Sequence, residues 1–267
     1  MTSRTVLITG VPRGGTTLAC ELLNLVPDTV ALDEPLDPGA MPTVSEEVPR
    51  AVRDFCEDMR RSLLEDGKAI SRHVGGRVAG GKLSDARRDS PRVWLAEHGS
   101  ITVTKSLSND FLLAIKHPAM FTACLGPLAR HFPVYAVLRH PLAVLASWQT
   151  VPFPYRSGRM PGAERFDEDL RRRLWATEDR VDRQLLLLDW LFTRYERLPE
   201  HNIVRYEDVV SSGGSALAAV TEAARALDRP LENRNSWYDA AQTRELAERL
   251  LASEGAYWRF YSRDRCA

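Results

Sequence analysis

The feature that most constrains this chain is a short apolar run that breaks into a glycine-rich turn and then into a helix. Residues 6–8 predict a buried strand, and Leu18, Leu22 and Leu23 recur at helical spacing. Glycines allow a tight turn in which backbone N–H groups point at an anion, and the helix N-terminus adds partial positive charge. The pattern predicts a phosphate-binding loop in an α/β domain. The loop reads Gly10-Val11-Pro12-Arg13-Gly14-Gly15-Thr16-Thr17-Leu18.

The spacing of this loop nearly matches the loop that binds nucleoside triphosphates. Four residues separate Gly10 from Gly15, but Thr16 and Thr17 stand where Lys and then Ser or Thr should follow. The lysine that would contact the outer phosphates of ATP is missing, whereas Arg13 places a cation inside the loop. The pattern favours a nucleotide with a single 5′-phosphate over ATP with magnesium. A glycine turn that binds nothing is the alternative.

Length and composition limit the class of protein that this chain can be. A chain of 267 residues is long enough for one large α/β domain, and its net charge of +0 gives no general attraction to nucleic acid or membrane. No signal sequence and no apolar run of membrane-spanning length occurs. We therefore expect a single domain over residues 1–267, cytoplasmic, metal-free, and monomeric or homodimeric. The cysteines lack metal-ligand spacing and are expected to be reduced thiols: Cys20, Cys56, Cys124 and Cys266.

Charged residues end two of the predicted strands. Glu34 follows the short strand 29–32, and Lys116 ends the apolar strand 111–116. In open α/β sheets the chemistry gathers at the carboxyl ends of the strands. Both residues are therefore candidate site residues, although a solvated carboxylate before a proline turn is an equally plain interpretation of Glu34.

A second candidate anion site follows the predicted central strand 134–138. Arg139 comes directly after this strand, and Ser147 lies about two helical turns further on. A planar guanidinium and a hydroxyl suit a phosphate group distinct from the one in the first loop.

The remaining chain predicts the following elements. Residues 67–92 are rich in glycine and arginine and predict a mobile insertion. Residues 101–105 alternate like a strand. Single helices are predicted over residues 121–132, 166–197 and 215–227.

Together these motifs resemble the sulfotransferases that use 3′-phosphoadenosine 5′-phosphosulfate (PAPS), and most of all the tyrosylprotein sulfotransferases and the bacterial sulfotransferases grouped with them. The glycine loop is similar to that family's 5′-phosphosulfate loop, and the segment from Arg139 to Ser147 to its 3′-phosphate site. Glu34, Lys116-His117-Pro118 and Arg205-Tyr206-Glu207-Asp208 occupy further positions of the pattern. The resemblance covers residues 4–36 and 110–210.

The resemblance implies a three-layer, P-loop-like α/β fold with a central parallel sheet flanked by helices. It also implies PAPS as donor, 3′-phosphoadenosine 5′-phosphate (PAP) as product, and no metal. Glu34 would be the general base, and Arg13 and Lys116 would stabilise the negative charge that develops on the sulfuryl and bridging oxygens during transfer. The implied cofactor contacts are Pro12, Arg13, Gly14, Gly15, Thr16, Thr17, Leu18, Arg139, Ser147, Tyr206 and Ser236.

The acceptor is expected to bind between two segments of loop-like composition, residues 37–100 and 152–162. Phe153 and Tyr155 would line its pocket, with His117 close by. Balanced charge favours a small hydroxylated molecule over a polyanionic glycan, and a tyrosine-containing peptide stays open. Two other functions remain possible: a small-molecule kinase with a degenerate phosphate loop, or a nucleotide-binding module without activity.

Overall fold

The computed structural model describes residues 4–78, 94–233 and 238–266. The strands are β1 (Thr5–Gly10), β2 (Thr29–Asp33), β3 (Lys68–His73), β4 (Glu97–Thr102), β5 (Leu112–Lys116), β6 (Val134–Leu138) and β7 (Ile203–Arg205). The helices are α1 (Thr16–Leu23), α2 (Val48–Asp66), α3 (Pro118–Ala123), α4 (Leu125–Ala129), α5 (Pro141–Gln149), α6 (Pro161–Glu164), α7 (Glu168–Ala176), α8 (Arg180–Tyr195), α9 (Tyr206–Ser211) and α10 (Ala240–Leu251).

Five strands pair in parallel in the order β2-β5-β1-β6-β7, which puts β1 in the centre. Side chains alternate between the two faces of the sheet: Leu7 belongs to a buried cluster with residues of α2, α3 and α8, whereas Val6 and Ile8 belong to a second cluster with residues of α1 and α9. Helices therefore cover both faces, and the three-layer α/β fold predicted from sequence is confirmed. Because the strands are parallel, all five carboxyl ends lie along one edge of the sheet.

A separate antiparallel pair, β3 with β4, replaces part of the insertion predicted over residues 67–92. Ser71 of β3 is fully buried, and its hydroxyl accepts the N–H of Asp33 at 2.9 Å. The prediction of an irregular insertion was therefore wrong for β3, because this strand docks on the end of β2. The strand predicted over residues 101–105 lies earlier, as β4. Residues 79–92 of the insertion are outside the described ranges.

Three predicted helices are divided. Residues 121–132 form α3 and α4, because Pro127 has no N–H for the carbonyl four residues back. The helix predicted over 166–197 is α7 and α8, and the Asp179 carboxylate caps α8 by accepting two backbone N–H groups at 2.9 Å. The alanine-rich stretch 215–227 forms two 3-10 turns, Ser215–Ala219 and Glu222–Ala226. Within the described ranges, no helix is both long and apolar enough to cross a membrane.

Candidate active site

The glycine loop joins the central strand to α1. Gly10 has a φ of +143°, and a Cβ there would lie 2.1 Å from the carbonyl oxygen of Val137 on β6, so this position requires glycine. The first hydrogen bond of α1 runs from Ala19 N–H to the Gly15 carbonyl, at 2.9 Å. The three N–H groups before Ala19 have no acceptor within the helix, and the helix dipole favours an anion in front of them.

The second anion site predicted from sequence lies directly against this loop. Arg139 donates from Nη1 to the Arg13 carbonyl at 3.1 Å, and Arg13 donates from Nε to the Ser147 hydroxyl at 3.2 Å. The Arg139 guanidinium stacks 4.5 Å above the ring of Tyr206. That ring also packs on Gly15, where a Cβ would come within 2.4 Å of it. The structure thus brings five of the predicted cofactor residues into one contiguous set.

Tyr238 belongs to the same set and was missed in the sequence. The Arg139 Nη2 donates to the Tyr238 hydroxyl at 3.3 Å, and Arg139 is itself only 7% exposed. No motif surrounds Tyr238, so only the folded chain reveals it. Ser236, which the resemblance placed near the donor, lies outside the described residues.

A buried lysine connects the loop to the end of β2. The Lys116 side chain is 2% exposed, and its ammonium donates to Asp33 Oδ1 and Glu34 Oε1, both at 2.8 Å, and to Thr17 Oγ1 at 3.4 Å. Burial alone would lower the pKa of Lys116, but the two adjacent carboxylates raise it above its ordinary value. Lys116 is therefore a charged group whose three donors are directed at protein oxygens.

Glu34 is held in a strained position at the mouth of this cluster. Its φ is +44°, a region that non-glycine residues seldom adopt, and its N–H donates to the Lys116 carbonyl at 2.7 Å. Its Oε2 accepts a hydrogen bond from Arg72 Nε at 3.1 Å, and its side chain is 23% exposed. Sequence analysis missed Arg72, because β3 was assigned to an insertion. A carboxylate fixed between two cations, with one side open to solvent, can accept a proton from a bound hydroxyl.

Four aromatic side chains, which we call the aromatic row, run from the β3–β4 region to the glycine loop. Trp94 and Phe153 meet edge to face with centroids 5.3 Å apart, Phe153 lies 5.2 Å from Tyr155, and Tyr155 lies 5.5 Å from Trp148. The indole N–H of Trp148 donates to the Pro12 carbonyl at 3.0 Å. The row brings together side chains from the two segments that sequence analysis assigned to the acceptor. That these segments enclose an acceptor stays a prediction.

His117 lies deeper than a pocket-lining residue. It is 5% exposed, its N–H donates to the Ile8 carbonyl at 2.9 Å, and its ring packs 5.7 Å from that of Phe121. Its backbone carbonyl accepts the Phe121 N–H at the start of α3. The structure therefore gives His117 a packing role, and its predicted contact with the acceptor is untested.

Two further observations concern the site's surroundings. No group of three or more metal-ligating side chains occurs in the part of the chain that the structure describes.

A cavity of about 450 Å³ opens at the amino end of β6, where Arg130, His131, Arg197 and Asn202 are among its lining residues. Since the candidate site occupies the carboxyl ends of the strands, this cavity is a separate feature.

Comparisons with known proteins add little to this description. No protein-family model and no curated protein sequence matches the chain. One solved structure that resembles it is the crystal structure of sulfotransferase STF9 from Mycobacterium avium, with a TM-score of 0.39 and 14% sequence identity over 98% of this chain and 78% of that one. Similarity at this level assigns no function, so the roles proposed below depend on the residues of this chain.

Proposed function

We propose that the protein transfers a sulfuryl group from PAPS to the hydroxyl group of an acceptor. The observation that carries this proposal is the contact between the glycine loop and Arg139, made through the Arg13 carbonyl at 3.1 Å. A helix N-terminus and a guanidinium then lie within the reach of one nucleotide. Such an arrangement suits a ligand with a 5′-phosphosulfate and a 3′-phosphate.

In the proposed reaction the acceptor oxygen attacks sulfur in line with the bond that breaks. A new S–O bond forms, the bond between sulfur and the 5′-phosphate oxygen breaks, and PAP leaves. Glu34 takes the proton of the acceptor hydroxyl. The Nε of Arg13 contacts Ser147, and among the described residues its Nη atoms make no hydrogen bond, so they can stabilise charge on the sulfuryl oxygens.

This proposal gives Lys116 a different role from the stabilisation of the sulfuryl group that the resemblance implied. Because its three donors already point at Asp33, Glu34 and Thr17, we assign it to holding the base against the loop rather than to contacting the sulfuryl group. Its positive charge still acts on the reacting centre from close by. Positioning and electrostatics would then supply most of the rate enhancement, as in phosphoryl transfer.

The acceptor in this proposal is a small hydroxylated molecule, and the reaction takes place in the cytoplasm. The net charge of +0 gives no general attraction for a polyanionic glycan. A small-molecule kinase and a binding module without activity remain the competing functions. The missing loop lysine disfavours the kinase, and the cluster around Glu34 disfavours the inactive module.

Isothermal titration with PAP, AMP and ATP plus magnesium tests the proposal. PAP should bind far more tightly than AMP, and Arg139→Ala should remove most of that preference, since charge-assisted hydrogen bonds contribute about 1.5–3 kcal/mol. Arg205→Ala is the matched control, because Arg205 ends the neighbouring strand and donates to the Phe260 carbonyl at 3.1 Å. Equal affinity of the unmodified protein for PAP and AMP would contradict the 3′-phosphate site, and magnesium-dependent ATP binding would favour the kinase.

A further inference from the structure

Arg72 has a binding capacity that the proposed reaction does not use. Its Nε donates to Glu34 Oε2 at 3.1 Å, and its guanidinium stands 5.6 Å from the ring centroid of Trp94. The side chain is 33% exposed. Among the described residues, neither Nη atom of Arg72 has a hydrogen-bond partner, so the planar fork of donors is open on the side away from Glu34. An open guanidinium fork matches a carboxylate in shape and charge.

Charge balance during the reaction also points to an anion at this position. Arg72 contacts the carboxylate of Glu34, and Lys116 contacts those of Glu34 and Asp33, so the described residues of this cluster contribute two cations and two anions. When Glu34 accepts the acceptor's proton, one negative charge disappears and Arg72 loses its counter-ion. A carboxylate on the acceptor would replace that counter-ion at the moment of transfer, and an interaction that strengthens in the transition state accelerates the reaction.

The aromatic row indicates what else the acceptor carries. It begins with Trp94, beside Arg72, and ends with Trp148, whose N–H contacts the glycine loop at Pro12. The row therefore spans from the cation at the base to the loop that would hold the donor. Trp148 is fully buried, whereas Trp94 is exposed and Phe153 and Tyr155 are partly exposed, so these three rings present surfaces that suit another flat ring.

From these contacts we propose that the acceptor is an aromatic hydroxy acid, whose carboxylate Arg72 binds and whose ring packs against Trp94, Phe153 and Tyr155 of the aromatic row. This inference rests on the proposed function, since it takes Glu34 as the base that faces the acceptor. Arg72 is then a specificity residue that couples recognition of the acid to the proton transfer at Glu34.

The experiment compares each acid with its uncharged isostere. The unmodified protein is titrated calorimetrically with 4-hydroxyphenylacetate and 4-hydroxyphenylacetamide, and with 3-hydroxybenzoate and 3-hydroxybenzamide, both with and without PAP. At least one carboxylate should bind about tenfold or more tightly than its amide. Arg72→Gln should lower its affinity to that of the amide. Arg77→Gln, the same change at an exposed position of the same hairpin, should leave the preference intact.

The outcomes separate this inference from the proposed function. The proposed PAP site does not include Arg72, so an Arg72→Gln variant that binds PAP as the unmodified protein does is folded, and its loss of preference is interpretable. If PAP binds but neither acid is preferred over its amide, the aromatic-acid inference is overturned and the proposed donor stands. If PAP does not bind, the donor fails, and the titrations without PAP still decide whether Arg72 selects a carboxylate. Absence of binding by all four compounds also overturns the inference.

Discussion

Removing the charge of Lys116 tests the buried cluster that organises the site. In the Lys116→Met variant, a side chain of similar length replaces the ammonium that contacts Asp33 and Glu34 at 2.8 Å. The side chain of Asp33 is 2% exposed, so its carboxylate would be left inside the protein without this cation. Breaking a buried ion pair by deleting one partner costs about 3–5 kcal/mol. We expect a loss of that size in the free energy of unfolding.

A double-mutant cycle also needs a variant that removes the carboxylate of Asp33. In Asp33→Asn, Lys116 keeps Glu34 as partner, and losing one hydrogen bond to a charged group should cost about 1.5–3 kcal/mol. The double variant Lys116→Met/Asp33→Asn contains neither buried charge. Its loss in the free energy of unfolding should therefore be smaller than the sum of the two single losses by about 0.5–3 kcal/mol, which is the range for residues in direct contact.

Urea unfolding at pH 7, followed by circular dichroism and tryptophan fluorescence, gives the free energy of each variant by linear extrapolation. Lys105→Met is the matched control, because Lys105 donates to the backbone carbonyls of Asn24, Val26 and Thr29 and not to Asp33. The loss in the free energy of unfolding that Lys105→Met causes should add to that of Asp33→Asn within about 0.5 kcal/mol. If Lys116→Met is equally additive with Asp33→Asn, the reasoning about a coupled buried pair is refuted.

Two further outcomes are expected. Glu34→Gln should lower turnover by about 10²–10⁴ while leaving PAP affinity unchanged, because glutamine cannot accept the proton; near-normal turnover under rate-limiting chemistry would remove Glu34 as the base. Burial raises the pKa of the Cys56 and Cys124 thiols to about 12, so both should resist iodoacetamide at pH 8 until the protein is unfolded in urea, as followed by mass spectrometry of the peptides. These pKa values are higher in the folded than in the unfolded chain, so the contribution of each thiol to the free energy of unfolding is fully present below about pH 8.5. It is lost as pH rises toward 12, by about 1.4 kcal/mol per pH unit for each thiol. Rapid alkylation of both native thiols, or stability unchanged between pH 9 and 12, would contradict this expectation.

Several parts of the site follow from short stretches of sequence, because local chemistry determines them. A strand that breaks into glycines and then a helix forms a tight turn with unpaired N–H groups at the helix start, so the shape of this loop could be predicted from residues 10–18. The same holds for Glu34, Lys116 and Arg139, since residues that follow apolar strands reach the carboxyl edge of a parallel sheet.

Other parts depend on which segments pack together, and no short stretch encodes that. The hydrogen bond from Arg72 to Glu34 joins residues 38 apart in the chain, and it exists because β3 docks on β2 through Ser71. The stacking of Trp94 on Phe153 likewise joins distant segments. Glycine-rich and charged composition around β3 predicts a loop, and only burial against the sheet turns this segment into a strand.

The contact between the two predicted anion sites shows most clearly what short stretches of sequence determine and what only the fold determines. Arg13 and Ser147 each belong to a motif that the sequence reveals, but the 3.2 Å hydrogen bond between them spans 134 residues. It forms because β1 and β6 are neighbours in the sheet, so that the loop after one meets the helix after the other. Sequence alone determined the kinds of group at the site, whereas the pairing of strands decided which of these groups touch.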